Sequence, residues 1–365
     1  MKKKIIIFMP SIEGGGVEKN LFLVSNYLSE KVRDLRLITI SKKYKKKFNK
    51  SIKFVTLSSN FWDKLSRRSK YVLALILLFK EILKDRNTIV FSFQANIYCI
   101  ILCKLFFIKV ISRSNSAPVG WSKNPLKRFI FKIFLNLADK IMVNSYEFKK
   151  ELKKEFNVNS VCIYNPLNKK EIIKKSKNKS EKIFKTNNLK IINIGRFTDQ
   201  KDQLTLLKAL NFLKNKIKFE VVIIGRGVLK KKLFNYIANN NLNKFVKLKN
   251  FTNNPFPLIK QTDLFILSSK YEGLPNVLLE SLVLNKYVIS SNCRTGPKEI
   301  LLNGKGGDLF KVGDYKNLSK LIINFNLKKK INIKKLKYAQ DHLYRFDYNI
   351  NLKKYLNLVN SVGKV

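Results

Sequence analysis

The strongest constraint on this chain is an alternation that runs through it twice. Short apolar runs rich in β-branched and aromatic residues are separated by longer stretches with helical periodicity. In the first half the runs are IIIFM (5–9), LRLITI (35–40), IKFVTL (52–57), TIVFSF (88–93), KVISR (109–113), KIMVN (140–144) and VCIY (161–164). Helical patterns such as VEKNLFLVSNYL (17–28) and SYEFKKELKKEF (145–156) lie between them. Continuous apolar strands alternating with helices predict a parallel sheet covered on both faces. The charge-dense stretch KKEIIKKSKNKSEKIFKTNN (169–188) then interrupts the pattern and reads as a linker. Beyond it the alternation restarts with LKIINIG (189–195), FEVVIIG (219–225), KFVKL (244–248), DLFIL (263–267), YVIS (287–290) and GGDLF (306–310). The reading is an α/β chain of two Rossmann-like domains. Ligands of such sheets bind outside the carboxyl ends of the strands, so two facing sheets are expected to bind in the cleft between them.

Composition fits this division. A chain of 365 residues that is 45% hydrophobic can fill two cores. The formal charge of +50 admits three readings: nucleic acid, an anionic membrane surface, or a compositional drift toward Lys, Asn and Ile. The chain holds 63 Lys and 11 Arg. Base readout favours bidentate Arg, so a nucleic-acid-binding protein is the distant alternative and no nucleic acid is expected. The cysteines, Cys99, Cys103, Cys162 and Cys293, form no CxxC pair, and there is one histidine. A zinc site is not expected, and reduced thiols in a cytosol fit the pattern. The opening MKKKIIIFMP has an apolar run too short for a secretion signal and reads as a buried first strand. The longest apolar run, YVLALILLF (71–79), is too short to span a bilayer.

Four stretches carry chemistry. In YEGLPNVLLESL (271–282) two of the chain's few carboxylates, Glu272 and Glu280, bracket a helix start. Pro275 suits the first turn of a helix, which puts Glu272 in the preceding loop and Glu280 about 7 to 8 Å along the axis. The face around Glu280 is apolar, so its carboxylate needs a partner, and the vicinal hydroxyls of a ribose would serve. The N–H groups of Gly273 and Leu274 could hold a phosphate or a sugar hydroxyl. The other reading is a solvent-directed Glu280 and a Glu272 that favours the helix N-terminus. In INIGRFTDQKD (192–202) a strand ends at Gly195, and Arg196 and Lys201 follow in the loop. Two cations there suit a pyrophosphate, or else mark a solvated turn. In VVIIGRGVL (221–229) Gly225 and Gly227 allow close backbone approach to a ligand, and a tight turn reads equally well. In MPSIEGGGVEKNL (9–21) the glycines open a helix and read as a phosphate cradle or a flexible turn.

These pieces in this order resemble the large retaining glycosyltransferase family 4, glycosyltransferase group 1, which has the GT-B fold. The matching residues are GGGVE (14–18), GRxxxxK (195–201), GxG (225–227), EGLPNVLLES (272–281) and GPKEI (296–300), with VNS (143–145) and YNP (164–166) also similar. The resemblance implies an acceptor-binding domain over 1–168, a linker over 169–188, a nucleotide-sugar domain over 189–343, and a C-terminal helix within 344–365 that returns to the first domain. It implies that Arg196 and Lys201 bind the donor diphosphate, that Glu280 binds the ribose, and that Glu272 faces the transferred sugar. Gly15, Gly16, Gly195, Gly225, Gly227, Gly273, Leu274, Pro275 and Asn276 complete the donor set. Many members carry a histidine near the donor sugar in the first domain, whereas the histidine here is His342 near the C-terminus. Gln94 and Asn96 occupy the corresponding stretch, and with Arg113 and Asn115 they are the acceptor-side expectations.

No Asp-x-Asp occurs in the chain, so no metal and no cofactor are expected beyond a nucleotide-sugar co-substrate, taken as a UDP-sugar. The implied reaction is retaining hexosyl transfer to a saccharide or polyprenyl-diphosphate-linked acceptor in cell-surface polysaccharide or lipopolysaccharide synthesis. A sugar-nucleotide epimerase or a phosphorylase of the same fold is the alternative. KLSRRSKYVLALILLFKEIL (64–83) and WSKNPLKRFIFKIFLNLA (121–138) combine Lys and Arg with Phe, Leu and Trp. They read either as core-packed helices or as helices lying in a membrane interface. The second reading predicts a cytoplasmic protein held on the inner face of the membrane.

Overall fold

A computed structural model describes residues 4–57, 59–115 and 124–363 of the chain. It divides into two compact units, one of residues 1–166 and 348–365 and the other of residues 167–347.

The first unit is a seven-stranded parallel sheet. Its elements in chain order are β1 (Lys4–Phe8), α1 (Gly16–Ser29), β2 (Leu35–Ile38), β3 (Lys53–Val55), α2 (Arg67–Lys84), β4 (Thr88–Ser92), α3 (Asn96–Leu105), β5 (Lys109–Arg113), α4 (Pro125–Leu137), β6 (Lys140–Val143), α5 (Tyr146–Phe156) and β7 (Val161–Cys162). The strand order is β3-β2-β1-β4-β5-β6-β7. Both faces are covered, which is why β1 is apolar from Ile5 to Phe8. Ile5 and Ile7 pack with α1, while Ile6 and Phe8 pack with α2, α3 and α5 on the other side.

The second unit contains α6 (Lys169–Ser176), β8 (Leu189–Ile194), α7 (Gln203–Leu213), β9 (Phe219–Gly225), α8 (Lys230–Asn239), β10 (Val246–Asn250), α9 (Phe256–Lys260), β11 (Leu264–Leu267), α10 (Asn276–Val283), β12 (Tyr287–Ser291), α11 (Pro297–Ile300), β13 (Asp308–Phe310), α12 (Tyr315–Leu327) and α13 (Lys329–Asp341). Its six strands are parallel in the order β10-β9-β8-β11-β12-β13. The stretch 169–188, read from sequence as a linker, lies within this unit. Its helix α6 packs on α9 and α10, with Ile172, Ile183 and Phe184 buried. A few apolar anchors hold a segment whose composition is dominated by lysine.

The last helix, α14 (Tyr348–Gly363), belongs to the first unit. Leu352, Tyr355, Val359 and Val362, spaced to share one helical face, are buried in the core beneath α1. The two places where the chain passes between units are adjacent: the Leu167 N–H donates to the Phe346 carbonyl at 2.9 Å.

One buried charge fastens α2 to the first sheet. Glu81 is 2% exposed and pairs with Arg36 of β2 at 2.6 Å, Lys84 at 2.7 Å and Lys4 of β1 at 3.9 Å. Burial pushes its carboxyl up, but Lys84 and Arg36 outweigh burial and hold it below the ordinary value of 4.5. A depressed folded pKa stabilises above the unfolded value and is lost as pH falls through the folded one. We expect Glu81→Gln to cost about 3 kcal/mol in urea unfolding at pH 7, because it removes the buried carboxylate shared by Arg36, Lys84 and Lys4 and leaves buried Lys4 with Asp85 at 3.8 Å as its remaining carboxylate. We also expect the variant to lose less stability than the wild type as the pH drops below 4.5.

Candidate active site

The order of each sheet reverses beside its first strand, between β8 and β11 in the second unit and between β1 and β4 in the first. Loops leaving two such neighbouring strands diverge to opposite faces and open a crevice at the carboxyl edge.

In the second unit that crevice is lined by the β8–α7 and β11–α10 loops. Lys201 ends a short 3-10 turn (Asp199–Lys201), and its Nζ lies 2.5 Å from Glu272 Oε1. The same carboxylate oxygen accepts from the Ser269 hydroxyl at 2.6 Å, and the Glu272 carbonyl accepts from the Thr295 hydroxyl at 2.6 Å. The two side chains of the pair are 16% and 8% exposed. A carboxylate this buried is tolerable only with compensation, and Lys201 and Ser269 supply it. Gln200 stitches the loops further: its Nε2 donates to the Tyr271 carbonyl at 3.0 Å, and its own carbonyl accepts from the Lys270 N–H at 2.8 Å. Arg196 is exposed and makes a long 3.4 Å hydrogen bond to Gln200 Oε1, which leaves its guanidinium turned to solvent at the carboxyl edge.

Glu272, Gly273, Leu274 and Pro275 are all buried ahead of α10. The sequence places Pro275 in the first turn; the structure has it one residue earlier, as the cap before Asn276. Glu280 is the fifth residue of α10 and is 4% exposed. So Arg196, Lys201, Glu272 and Glu280 all sit on loops or helices at one edge of one sheet. Ser269, Thr295 and Gln200 were not singled out by the sequence. Only their nearness to the named motifs could have flagged them. Cys293 is buried beside this cluster, and burial, reinforced by the Glu272 charge, pushes its thiol up to about 12. It is an inert packing group there.

Gly225 ends β9, and a Cβ at that position would stand 2.0 Å from the Gly195 carbonyl oxygen. The Phe197 N–H donates to the Arg226 carbonyl at 2.8 Å, and the Leu229 N–H donates to the Phe197 carbonyl at 3.0 Å. Gly225 and Gly227 therefore let the β9–α8 loop lie against the β8–α7 loop that carries Arg196. What approaches their backbone in this structure is the protein itself.

In the first unit Gly15 caps α1 and Gly16 begins it. The Glu18 carboxylate already accepts from the Gly15 N–H at 2.9 Å and the Glu13 N–H at 3.3 Å. The cradle's amides point at an anion, and that anion is a side chain of the same helix. Gln94 Oε1 accepts from the Ser11 N–H at 2.9 Å, tying the β4 and β1 loops together. Asn96 accepts from the Ser92 hydroxyl at 2.8 Å and donates to the Arg113 carbonyl at 2.8 Å. Asn115 donates to the Phe93 carbonyl at 2.8 Å and accepts from Arg113 Nη1. The four acceptor-side residues thus share one hydrogen-bond network that shapes the carboxyl edge, and Arg113 is wholly buried within it. Tyr355 and Asn165 also bond Arg113; Asn165 lies in the YNP stretch (164–166) that carries part of the resemblance, without a role assigned to it there, and Tyr355 was not singled out.

Gly225→Ala is expected to displace the Arg196 loop. Its measured consequence should be a purified protein with a melting temperature lowered by several degrees, since a backbone contact of 2.0 Å has no side chain to yield.

Comparison with known proteins places the chain. Residues 146–341, more than half of it, match the family described as glycosyl transferases group 1. An uncharacterized glycosyltransferase of Methanocaldococcus jannaschii is 34% identical over 226 residues, 55% of this chain and 53% of that protein, so the match spans about half its length. The N-acetylgalactosamine-N,N'-diacetylbacillosaminyl-diphospho-undecaprenol 4-alpha-N-acetylgalactosaminyltransferase of Campylobacter jejuni is 28% identical over 324 residues, 85% of this chain and 86% of the relative. Among solved structures, HepE of Anabaena in complex with UDP and glucose superposes with a TM-score of 0.78 at 16% identity, covering 98% of this chain and 100% of that one. The fold is the GT-B fold, and the chain belongs to the group 1 glycosyl transferases.

Proposed function

We propose that the protein moves a hexose or N-acetylhexosamine from a nucleotide sugar, UDP-linked, to a saccharide or polyprenyl-diphosphate-linked acceptor, with retention at the anomeric carbon. Its place would be cell-surface polysaccharide or lipopolysaccharide synthesis. The observation that carries this is the Lys201–Glu272 pair at the sheet's crevice, with Glu280 buried nearby in sequence and Arg196 exposed beside it. Support for the donor comes from the UDP bound to Anabaena HepE, and for the acceptor from the diphospho-undecaprenol in the name of the Campylobacter relative.

The chemistry follows from the donor sets. An ammonium has three N–H donors, and Glu272 takes one of those on Lys201, leaving two for phosphate oxygens. Arg196 adds a bidentate fork. Together they stabilise the charge that develops on the departing diphosphate, so metal independence belongs to the reading. Glu272, fixed by Lys201 and Ser269, orients the hydroxyls of the transferred sugar, and Glu280 accepts from the ribose hydroxyls. The acceptor oxygen attacks from the face the diphosphate leaves, and the leaving phosphate oxygen takes the acceptor's proton.

A membrane-bound acceptor calls for membrane contact, and α4 suits it better than α2. Helix α2 buries Ala74, Leu78, Ile82 and Glu81 against the sheet. In α4 only Leu135 is buried, while Leu126, Phe129, Ile133 and Leu137 are exposed and no residue is acidic. Residues 121–123 of that segment lie outside the described residues. Among the described residues no helix is long and apolar enough to cross a membrane. An exposed apolar face beside Lys127, Arg128 and Lys132 fits the boundary of an anionic bilayer.

UDP at a hundred times its Kd should stabilise the protein by ~2.7 kcal/mol, read as a raised melting temperature. Lys201→Ala and Glu280→Ala should each lower kcat/KM by about 100-fold in UDP release. Release must require acceptor; release without it would mark an epimerase instead. In flotation, wild-type protein should rise with phosphatidylglycerol vesicles and not with neutral ones, and Phe129→Glu with Ile133→Glu should abolish the rise.

A further inference from the structure

Arg113 is the last residue of β5, and its side chain is 0% exposed. Among the described residues, every hydrogen-bond partner of its guanidinium is neutral. Nε donates to the Tyr355 hydroxyl at 3.3 Å, Nη2 to Asn165 Oδ1 at 2.9 Å, and Nη1 to Asn115 Oδ1. The Phe93 ring centroid lies 5.2 Å from the guanidinium carbon. No carboxylate is among these groups. The contrast with Lys4, another buried cation of this unit, is direct, since Lys4 sits beside Glu81 and Asp85. Each guanidinium nitrogen of Arg113 donates a hydrogen bond, but these bonds leave its charge uncancelled.

An uncancelled charge inside a fold is costly, and an apolar residue would fill the space with less strain on stability. Its position makes it useful. It stands at the carboxyl end of a parallel strand, at the edge where such sheets meet their ligands. The exposed lysines of this chain are screened by salt within about 8 Å, whereas a guanidinium shielded from water keeps its field.

We infer that Arg113 is a positioning residue that gives the carboxyl edge of the first sheet a permanent positive potential, selecting an acceptor that carries a diphosphate, without touching it. The inference rests on the transferase reading above. Arg113 acts through what it holds: the Asn115 loop, the chain at Asn165 just before it leaves the unit, and α14 through Tyr355. A direct phosphate contact is ruled out by its burial.

The test is calorimetric titration of the full chain with farnesyl diphosphate, inorganic pyrophosphate and UDP. Arg113→Lys keeps the charge and loses the fork. Asn165→Asp keeps the fork and cancels the charge by placing a carboxylate 2.9 Å from Nη2. Arg113→Gln removes the charge outright. We expect Arg113→Lys to bind farnesyl diphosphate within about threefold of wild type. Asn165→Asp and Arg113→Gln should bind it at least tenfold more weakly, with Kd for UDP unchanged. Asn165→Asp should also melt no lower than wild type, which separates charge from packing should Arg113→Gln fail to fold. Pyrophosphate binding with the same dependence identifies the diphosphate as the recognised group, and the ratio of its Kd to that of farnesyl diphosphate gives the share of the lipid tail. Wild-type protein that ignores farnesyl diphosphate, or an Asn165→Asp protein that binds it as wild type does, overturns the inference. A wild type that ignores UDP would instead overturn the transferase reading itself.

Discussion

Everything at the candidate site depends on a topological constraint with an electrostatic consequence. Parallel strands put all their carboxyl ends on one edge, and the order β9-β8-β11-β12 makes the loops after β8 and β11 neighbours that part company. Lys201 leaves from one and Glu272 from the other, 71 positions apart in the chain, and they meet at 2.5 Å. Neither charge is tolerable alone at that depth. The pair therefore locks two loops together and holds a cation and a carboxylate where a ligand of this fold would lie.

The buried charges of the molecule show three different solutions to the same cost. Glu81 is surrounded by Arg36, Lys84 and Lys4, and the result is a rivet between a helix and a sheet. Glu272 has one cation and one hydroxyl as partners, and Lys201 retains donors to spare. Among the described residues Arg113 has neutral hydrogen-bond partners alone. Compensation decreases from the rivet to the candidate site to Arg113. The stability of the fold needs the first, and the proposed chemistry needs the residual charge of the other two.

Much of this was legible in the residues. The central strands of both sheets follow the apolar runs closely because both of their faces are buried, whereas the edge strands β3 (KFV) and β10 (VKLKN) carry lysines. The stretch EGLPNVLLES announced most of its geometry, with a carboxylate in the loop and a second at the fifth residue of α10, while Pro275, expected in the first turn, is the cap. Less legible was 169–188, where lysines conceal Ile172, Ile183 and Phe184 as anchors of the second unit. The glycines were ambiguous for a physical reason: a close backbone approach looks the same in sequence whether the visitor is a phosphate or the Gly195 carbonyl.

The sequence alone determined the fold class, the restart of the pattern and the loops that carry charge, since periodicity, caps and turn residues are local properties. Only the tertiary structure decided which charges meet and which remain alone. Whether Arg113 faced water or lay sealed beneath Tyr355 depended on a helix 242 positions later returning to pack on its strand, and no local pattern encodes such a contact. The partner of a buried charge is set by packing over the whole unit, because the free energy at stake belongs to the environment and not to the residue.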